Sequence, residues 1–192
     1  ENDQAQPLIA HLLELRARLL RIVLAILVLF LGLFAFANDI YTLVATPLLN
    51  ALPEGSQMIA TDVASPFLTP FKLTLVASVF LAVPYILFEI WGFIAPGLFQ
   101  HEKRIIGPLM FASVLLFFLG VAFAYFVVFP LIFAFFSSAG PVGVSYTPDI
   151  ARFLDTVLKL FFAFGVAFEI PIATVVMIYT GATTAESLSA KR

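Results

Sequence analysis

The sequence predicts an all-α membrane protein with four transmembrane helices and both termini in the cytoplasm, and three observations carry that reading. Of its 192 residues 62% are hydrophobic and only 11% charged, against roughly 25% charged in a soluble domain. The apolar residues gather into four long runs, separated by polar stretches rich in proline, glycine and serine. The basic residues sit mostly at one side of those runs, which orients them. No cysteine is present, so disulfides and thiolate metal sites are excluded. Phenylalanine is the main aromatic, at 23 residues against 5 tyrosines and 1 tryptophan, and it suits lipid and helix seams equally. There is no nucleotide-binding loop, no visible internal repeat and no strand-like alternation, and no nucleic-acid partner is expected.

Residues 1–21 form an amphipathic N-terminal segment on the cytoplasmic side. Leu12, Leu13, Leu15, Leu19 and Leu20, with arginines between them, have the spacing of a helix lying in the membrane interface. The uncharged run 22–37 is the first span. It is slightly shorter than the ~20 residues a bilayer core needs, and Arg21 closes the gap by snorkelling. No small-residue cleavage site follows it and further apolar runs come after, so it reads as a span and not a removable signal. The start at Glu1 instead of methionine reads as trimming.

Residues 38–70 are a structured cap on the far, periplasmic side, with Pro47, Pro53, Pro66 and Pro70 and an amphipathic stretch, YTLVATPLLNAL, that forms a short surface helix. The second span covers 71–94, interrupted by Pro84 and by the acid Glu89, and 95–104 is the cytoplasmic return loop. The third span, 105–136, has 32 residues without a charge, about 48 Å if wholly helical. It must tilt, kink or project, and Pro130 offers a break. Residues 137–151 are a turn-rich periplasmic loop, 152–179 the fourth span and 180–192 a cytoplasmic tail. Arg16, Arg18, Arg21, Lys103, Arg104, Lys191 and Arg192 make seven of the ten basic residues on one side. The positive-inside rule makes that side cytoplasmic.

The acids then become informative. Glu14 and Glu102 fall on the same face, at the mouths of the first and third helices. Two partly desolvated carboxylates could each take one guanidinium of a ligand in a bidentate, charge-assisted arrangement. Equally, Glu14 could pair with Arg18 at i,i+4 while Glu102 stays solvated beside Lys103 and Arg104. Glu169 lies about 15 Å inside the fourth span, where an ionised carboxylate facing lipid would cost several kcal/mol, so it should face protein, water or a cavity. Pro171 beside it frees a carbonyl and bends the helix. Glu89, near the end of its span, is read as solvated at the headgroups. Asp155 and Lys159 are read as a local i,i+4 pair. His11 and His101 lie at the surface without a ligand cluster, so neither metal nor cofactor is expected.

Several long motifs in order give a more specific reading. HLLELRARLLR, FANDIY, MIATDVASPFLTPFKL, FEIWGFIAPGLFQHEKR, FAYFVVFPLIFAFF and AFGVAFEIPIA together resemble the TatC family of twin-arginine translocase receptors, over residues 7–192. The resemblance implies a non-enzymatic subunit of the bacterial cytoplasmic membrane that recognises the arginine pair of signal peptides on folded precursors. It also implies energy from the proton-motive force and assembly with the single-span subunits TatA and TatB and with other TatC copies. In the family the glutamate of the ELR motif and that of the first cytoplasmic loop recognise the arginines. Matched by motif these are Glu14 and Glu102, with Leu15, Arg16, Phe93, Pro96 and His101 shaping the site. Arg16 and Arg18 would then keep the Glu14 carboxylate ionised while the signal competes for it. Glu169 matches the family's membrane-embedded acid.

Two departures from the family pattern stand out. Six spans are expected and the chain reads as ending just after the fourth, before a helix that in the family contacts the single-span partners. At Glu89 a neutral polar residue is expected. Two other functions fit the residues: a proton-coupled small-solute transporter using Glu169, with Glu89 as a second acid, would show related halves around a midplane site, and a bare helical scaffold would leave signal binding to other subunits.

Overall fold

The computed structural model describes residues 5–53, 56–94, 103–139 and 146–179, which are helical apart from their connections and one isolated bridge. Helix α1 runs from Ala5 to Leu33. No glycine or proline interrupts residues 8–31, and one continuous helix runs through the amphipathic segment and the first apolar run. Arg18, Ile22, Ala25, Ile26, Leu29, Phe30 and Leu33 form its half-buried stripe, at helical spacing, and the helix packs on α3. Leu12, Leu19, Val23, Leu27 and Leu31 are exposed around the rest of it.

A 3-10 turn at Phe34–Phe36 leads to α2, Ala37–Ala51, which buries Val44, Ala45 and Leu48. Pro47 lacks an N–H and so leaves the Leu43 carbonyl without its helical donor. The Tyr125 hydroxyl donates to that oxygen at 2.7 Å and ties α2 to the third span. The chain between α2 and α3 is clasped to the start of α6: the Ile59 amide donates to the Pro148 carbonyl at 3.0 Å, and the Ile150 amide to the Ile59 carbonyl at 2.9 Å.

Helix α3, Ser65–Ile94, is central, touching α1, α2, α4 and α6. Its buried hydroxyls are satisfied within the helix: Thr74 donates to the Pro70 carbonyl at 2.8 Å and Ser78 to the Thr74 carbonyl at 2.7 Å. The third apolar run is helical from Lys103 to Ser138 in three pieces: α4 (Lys103–Phe123), a π-helical stretch (Ala124–Val128) and α5 (Phe129–Ser138). The widened turn falls just before Pro130, whose missing N–H breaks the regular ladder there. The fourth run divides into α6, Ile150–Ala167, and α7, Ile170–Tyr179. The interruption is at Phe168 and Glu169, where Pro171 removes a donor from the next turn. Among the described residues, four helical stretches, His11–Ala51, Ser65–Phe93, Gly107–Ser138 and Ile150–Ile178, are long and apolar enough to cross a membrane.

The core is built largely of phenylalanine rings. Phe80 meets Phe117 and Phe162 edge-on with centroids 5.4 and 5.0 Å away, Phe129 meets Phe161 at 4.8 Å, and Phe133 meets Phe153 at 5.5 Å. Such pairs add about 0.5–1.5 kcal/mol each beyond their area. Helices α4 and α6 approach closely at Gly120, where a β-carbon would stand 2.5 Å from the Phe164 carbonyl oxygen.

Asp155 corrects one expectation. Its partner is Lys72 of α3, not Lys159 one turn along its own helix. The packing of α6 on α3 brings a cation from another helix within reach, and a cross-helix pair replaces the local one.

Candidate functional site

Near the N-terminal end of α1, charged groups of α1 and α3 form one cluster. Arg18 is its hub. The Arg18 Nε donates to Glu14 Oε1 at 3.0 Å and Nη2 donates to the same oxygen at 2.7 Å. Its Nη1 donates to Glu89 Oε2 at 2.9 Å and to the Glu89 carbonyl at 3.2 Å, and Nη2 also reaches the Gly92 carbonyl at 3.1 Å. A guanidinium has five N–H donors, and these five bonds use them all.

The local geometry explains why α3 can receive this group. Glu89 and Tyr85 are one helical turn apart, and the Tyr85 hydroxyl donates to Glu89 Oε1 at 2.9 Å. Arg21 Nε stands 3.4 Å from the same oxygen. Gly92 leaves the backbone open: a β-carbon there would lie 2.6 Å from Arg18 Nη1. Toward the start of α1, the His11 ring stacks on Phe93 with centroids 4.2 Å apart and planes at 22°. The start of α1 is thereby held to the end of α3 by a ring stack and a charged network together.

Burial is uneven across the cluster. The Glu89 side chain is 2% exposed, Arg18 18% and Glu14 41%. The expectation of a solvated Glu89 is therefore overturned: Arg18 and Arg21 compensate its charge and Tyr85 completes its hydrogen bonds, so burial is tolerable. A buried charge lacking those partners would be strongly destabilising.

Of the other expected site residues, Leu15 and Arg16 are exposed on α1 beside Glu14, and Phe93 lies under His11. Pro96, His101 and Glu102 lie outside the described residues. Glu169 sits at the α6–α7 interruption, well away along the chain, and accepts a hydrogen bond from the Ser113 hydroxyl of α4. Its Oε1 is buried and, among the described residues, accepts no hydrogen bond. Glu169 is thus joined to α4 from the break between α6 and α7. The expected i,i+4 pair of Glu14 with Arg18 is present, while Arg21, Tyr85 and Gly92 are members of the cluster that sequence reading did not single out. The two i,i+4 pairs, Glu14 with Arg18 and Tyr85 with Glu89, were a visible signal, but nothing in the sequence joined one pair to the other.

Among the described residues no group of histidine, cysteine, aspartate or glutamate side chains could hold a metal ion. On the opposite end, Asp149 caps α6: its Oδ1 accepts from the Ala151 and Arg152 amides, each at 3.0 Å. Its Oδ2 accepts from the Thr61 amide at 3.0 Å and the Thr61 hydroxyl at 2.7 Å. These donors, the Thr61 hydroxyl first, hold the carboxyl down at about 2.

Comparison with known proteins bears on what such a site does. The family described as Sec-independent protein translocase protein (TatC) matches residues 10–192. The chain is 62% identical over 192 residues to the Sec-independent protein translocase protein TatC of Azotobacter chroococcum mcd 1, covering 100% of this chain and 75% of the relative. It is 54% identical to the protein of that name in Haemophilus influenzae, over 99% of this chain and 74% of the relative. The corresponding Escherichia coli K12 protein is 55% identical, with the same coverage of 99% and 74%. A crystal structure of the twin arginine translocase receptor TatC superposes with a TM-score of 0.82 at 37% identity, covering 94% of this chain and 79% of that one.

Proposed function

The chain belongs to the TatC family, and from that premise we propose that a twin-arginine signal peptide docks at the end of the bundle carrying Glu14. As a TatC it is a receptor and core subunit of the translocase that exports folded proteins across the bacterial cytoplasmic membrane, driven by the proton-motive force and not itself an enzyme. Glu14 and Glu102 each take one guanidinium of the signal, with Leu15, Arg16, Phe93, Pro96 and His101 around them. Both termini and the 95–104 loop face the cytoplasm, as the distribution of lysine and arginine supports. The partners are the single-span TatA and TatB and further copies of TatC.

The observation that carries the reading is that Glu14, half-exposed on α1, already binds a guanidinium with two charge-assisted hydrogen bonds. Support for Glu102 comes from chain connectivity: α3 ends at Ile94, the end to which α1 is pinned, and α4 starts at Lys103, one residue after Glu102. The test is direct binding of a labelled twin-arginine signal peptide to the full-length protein in detergent. Glu14→Lys and Glu102→Lys should each abolish binding while the protein still assembles in the membrane. Affinities within about twofold of wild type for both variants would remove these acids from the site.

A further inference from the structure

We propose that Arg18 is a resident competitor for Glu14, and that Glu89 is the acid onto which it withdraws when a ligand's guanidinium takes its place. This rests on the reading of Glu14 as a signal-binding acid.

The bond pattern distinguishes such a device from a purely structural ion pair. Both bonds from Arg18 to Glu14 converge on a single oxygen, Oε1, whereas a forked guanidinium pair would use both. Glu14 is the exposed member of the network and Glu89 the buried one. If Glu14 lets go, Arg18 keeps three bonds to α3: one to the Glu89 carboxylate and two to the carbonyls of Glu89 and Gly92. Glu89 meanwhile retains Tyr85 and Arg21. No buried charge is stranded by the exchange, which is the step that makes breaking most buried ion pairs costly.

Two consequences follow for recognition. The measured affinity for a signal peptide is the difference between what its arginine and Arg18 gain from Glu14. A ligand guanidinium can fork over both Glu14 oxygens, which Arg18 does not, whereas a lysine, as a compact point charge, cannot. Glu89 sets how tightly Arg18 clings: the stronger the alternative site on α3, the more readily Glu14 is released. Gly92 acts in the same direction by keeping its carbonyl within reach of the guanidinium.

The test measures the affinity of a labelled twin-arginine peptide for the full-length protein and four variants. Arg18→Met with Glu89→Met removes one positive and one negative charge, so the local net charge is unchanged. It should bind the peptide roughly three- to tenfold more tightly, the scale of one partly exposed ion pair. Glu89→Gln alone should weaken binding by a comparable factor, because Arg18 then holds Glu14 harder. Gly92→Ala keeps every charge while crowding Arg18 away from its carbonyl, and should also weaken binding, so the proposal remains testable if the double variant is unstable. Glu14→Gln reports on the underlying reading.

Loss of binding in Glu14→Gln, with the double variant no tighter than wild type or Gly92→Ala unchanged, would overturn the competitor while leaving Glu14 as the signal-binding acid. Wild-type binding by Glu14→Gln would overturn both.

Discussion

Replacing Gly120 with alanine should loosen the seam between α4 and α6 and destabilise the fold by about 2 kcal/mol, the balance of two opposed terms. Alanine gains about 1 kcal/mol over glycine in a helix interior. Against that, the new β-carbon would stand 2.5 Å from the Phe164 carbonyl oxygen, 3.0 Å from its carbon and 3.0 Å from the Phe168 ring. The first contact is about 1 Å short of ordinary van der Waals separation. Because the nearest obstructing group, the Phe164 carbonyl, is backbone, the helices must move apart, at the upper end of the ~1–3 kcal/mol that overpacking costs.

Gly32 supplies the control, since a β-carbon there meets nothing within 4 Å. Gly32→Ala should be neutral or stabilising, by up to about 1 kcal/mol. Equilibrium unfolding of the purified protein in detergent compares the two variants. If Gly120→Ala were as stable as Gly32→Ala, the α4–α6 contact would not be the close backbone approach described. The function-linked consequence is that Ser113, two turns before Gly120 on α4, should part from Glu169 when the seam opens.

Two further expectations follow. Ser113→Ala should cost about 1–2 kcal/mol by removing a buried donor to a carboxylate, and a double-mutant cycle with Glu169→Gln should show a coupling of about 1 kcal/mol; additive effects would mean that the Ser113–Glu169 bond contributes nothing. The Asp149 clasp should loosen in acid: its carboxyl is held at about 2 in the folded chain, below the ~3.9 of a free aspartate. Its contribution is therefore complete above about pH 4 and lost as pH falls toward 2. Protection of the Thr61, Ala151 and Arg152 amides from hydrogen exchange, relative to their intrinsic rates at each pH, should fall across that window in wild type. In an Asp149→Asn variant the protection factors of these amides should not change across that window, and an identical pH profile of protection in both proteins would argue against the clasp.

Hydropathy alone carries the four spans, because a bilayer imposes a length and a composition that few other environments require. The interruption at Glu169 was legible too, since Pro171 acts through its own missing N–H. What sequence could not supply was pairing between helices. Glu89 looked like a headgroup-facing acid because its depth was readable and its partner, Arg18, was not. The two are 71 positions apart, and only the packing of α1 on α3 joins them. Asp155 was assigned the nearest cation along the chain, whereas Lys72 of α3 is nearer in space. Likewise, Pro47 announces a freed carbonyl, but nothing local says that Tyr125 will fill it. The ELR motif marked Glu14 as a candidate and its spacing offered Arg18 as a local partner; the structure shows that pair and adds that the same guanidinium also reaches Glu89 and Gly92.

The most direct measurement of the central claim, that Glu14 reads an arginine of the signal, is photo-crosslinking from the neighbouring exposed position Leu15 to a signal peptide. The peptide is used once with its arginine pair and once with a lysine pair, which keeps the charge and loses the guanidinium fork. A strong crosslink to the arginine peptide that falls away both with the lysine peptide and in a Glu14→Gln background is the predicted result. Equal crosslinking to both peptides, with or without the Glu14 carboxylate, would contradict it.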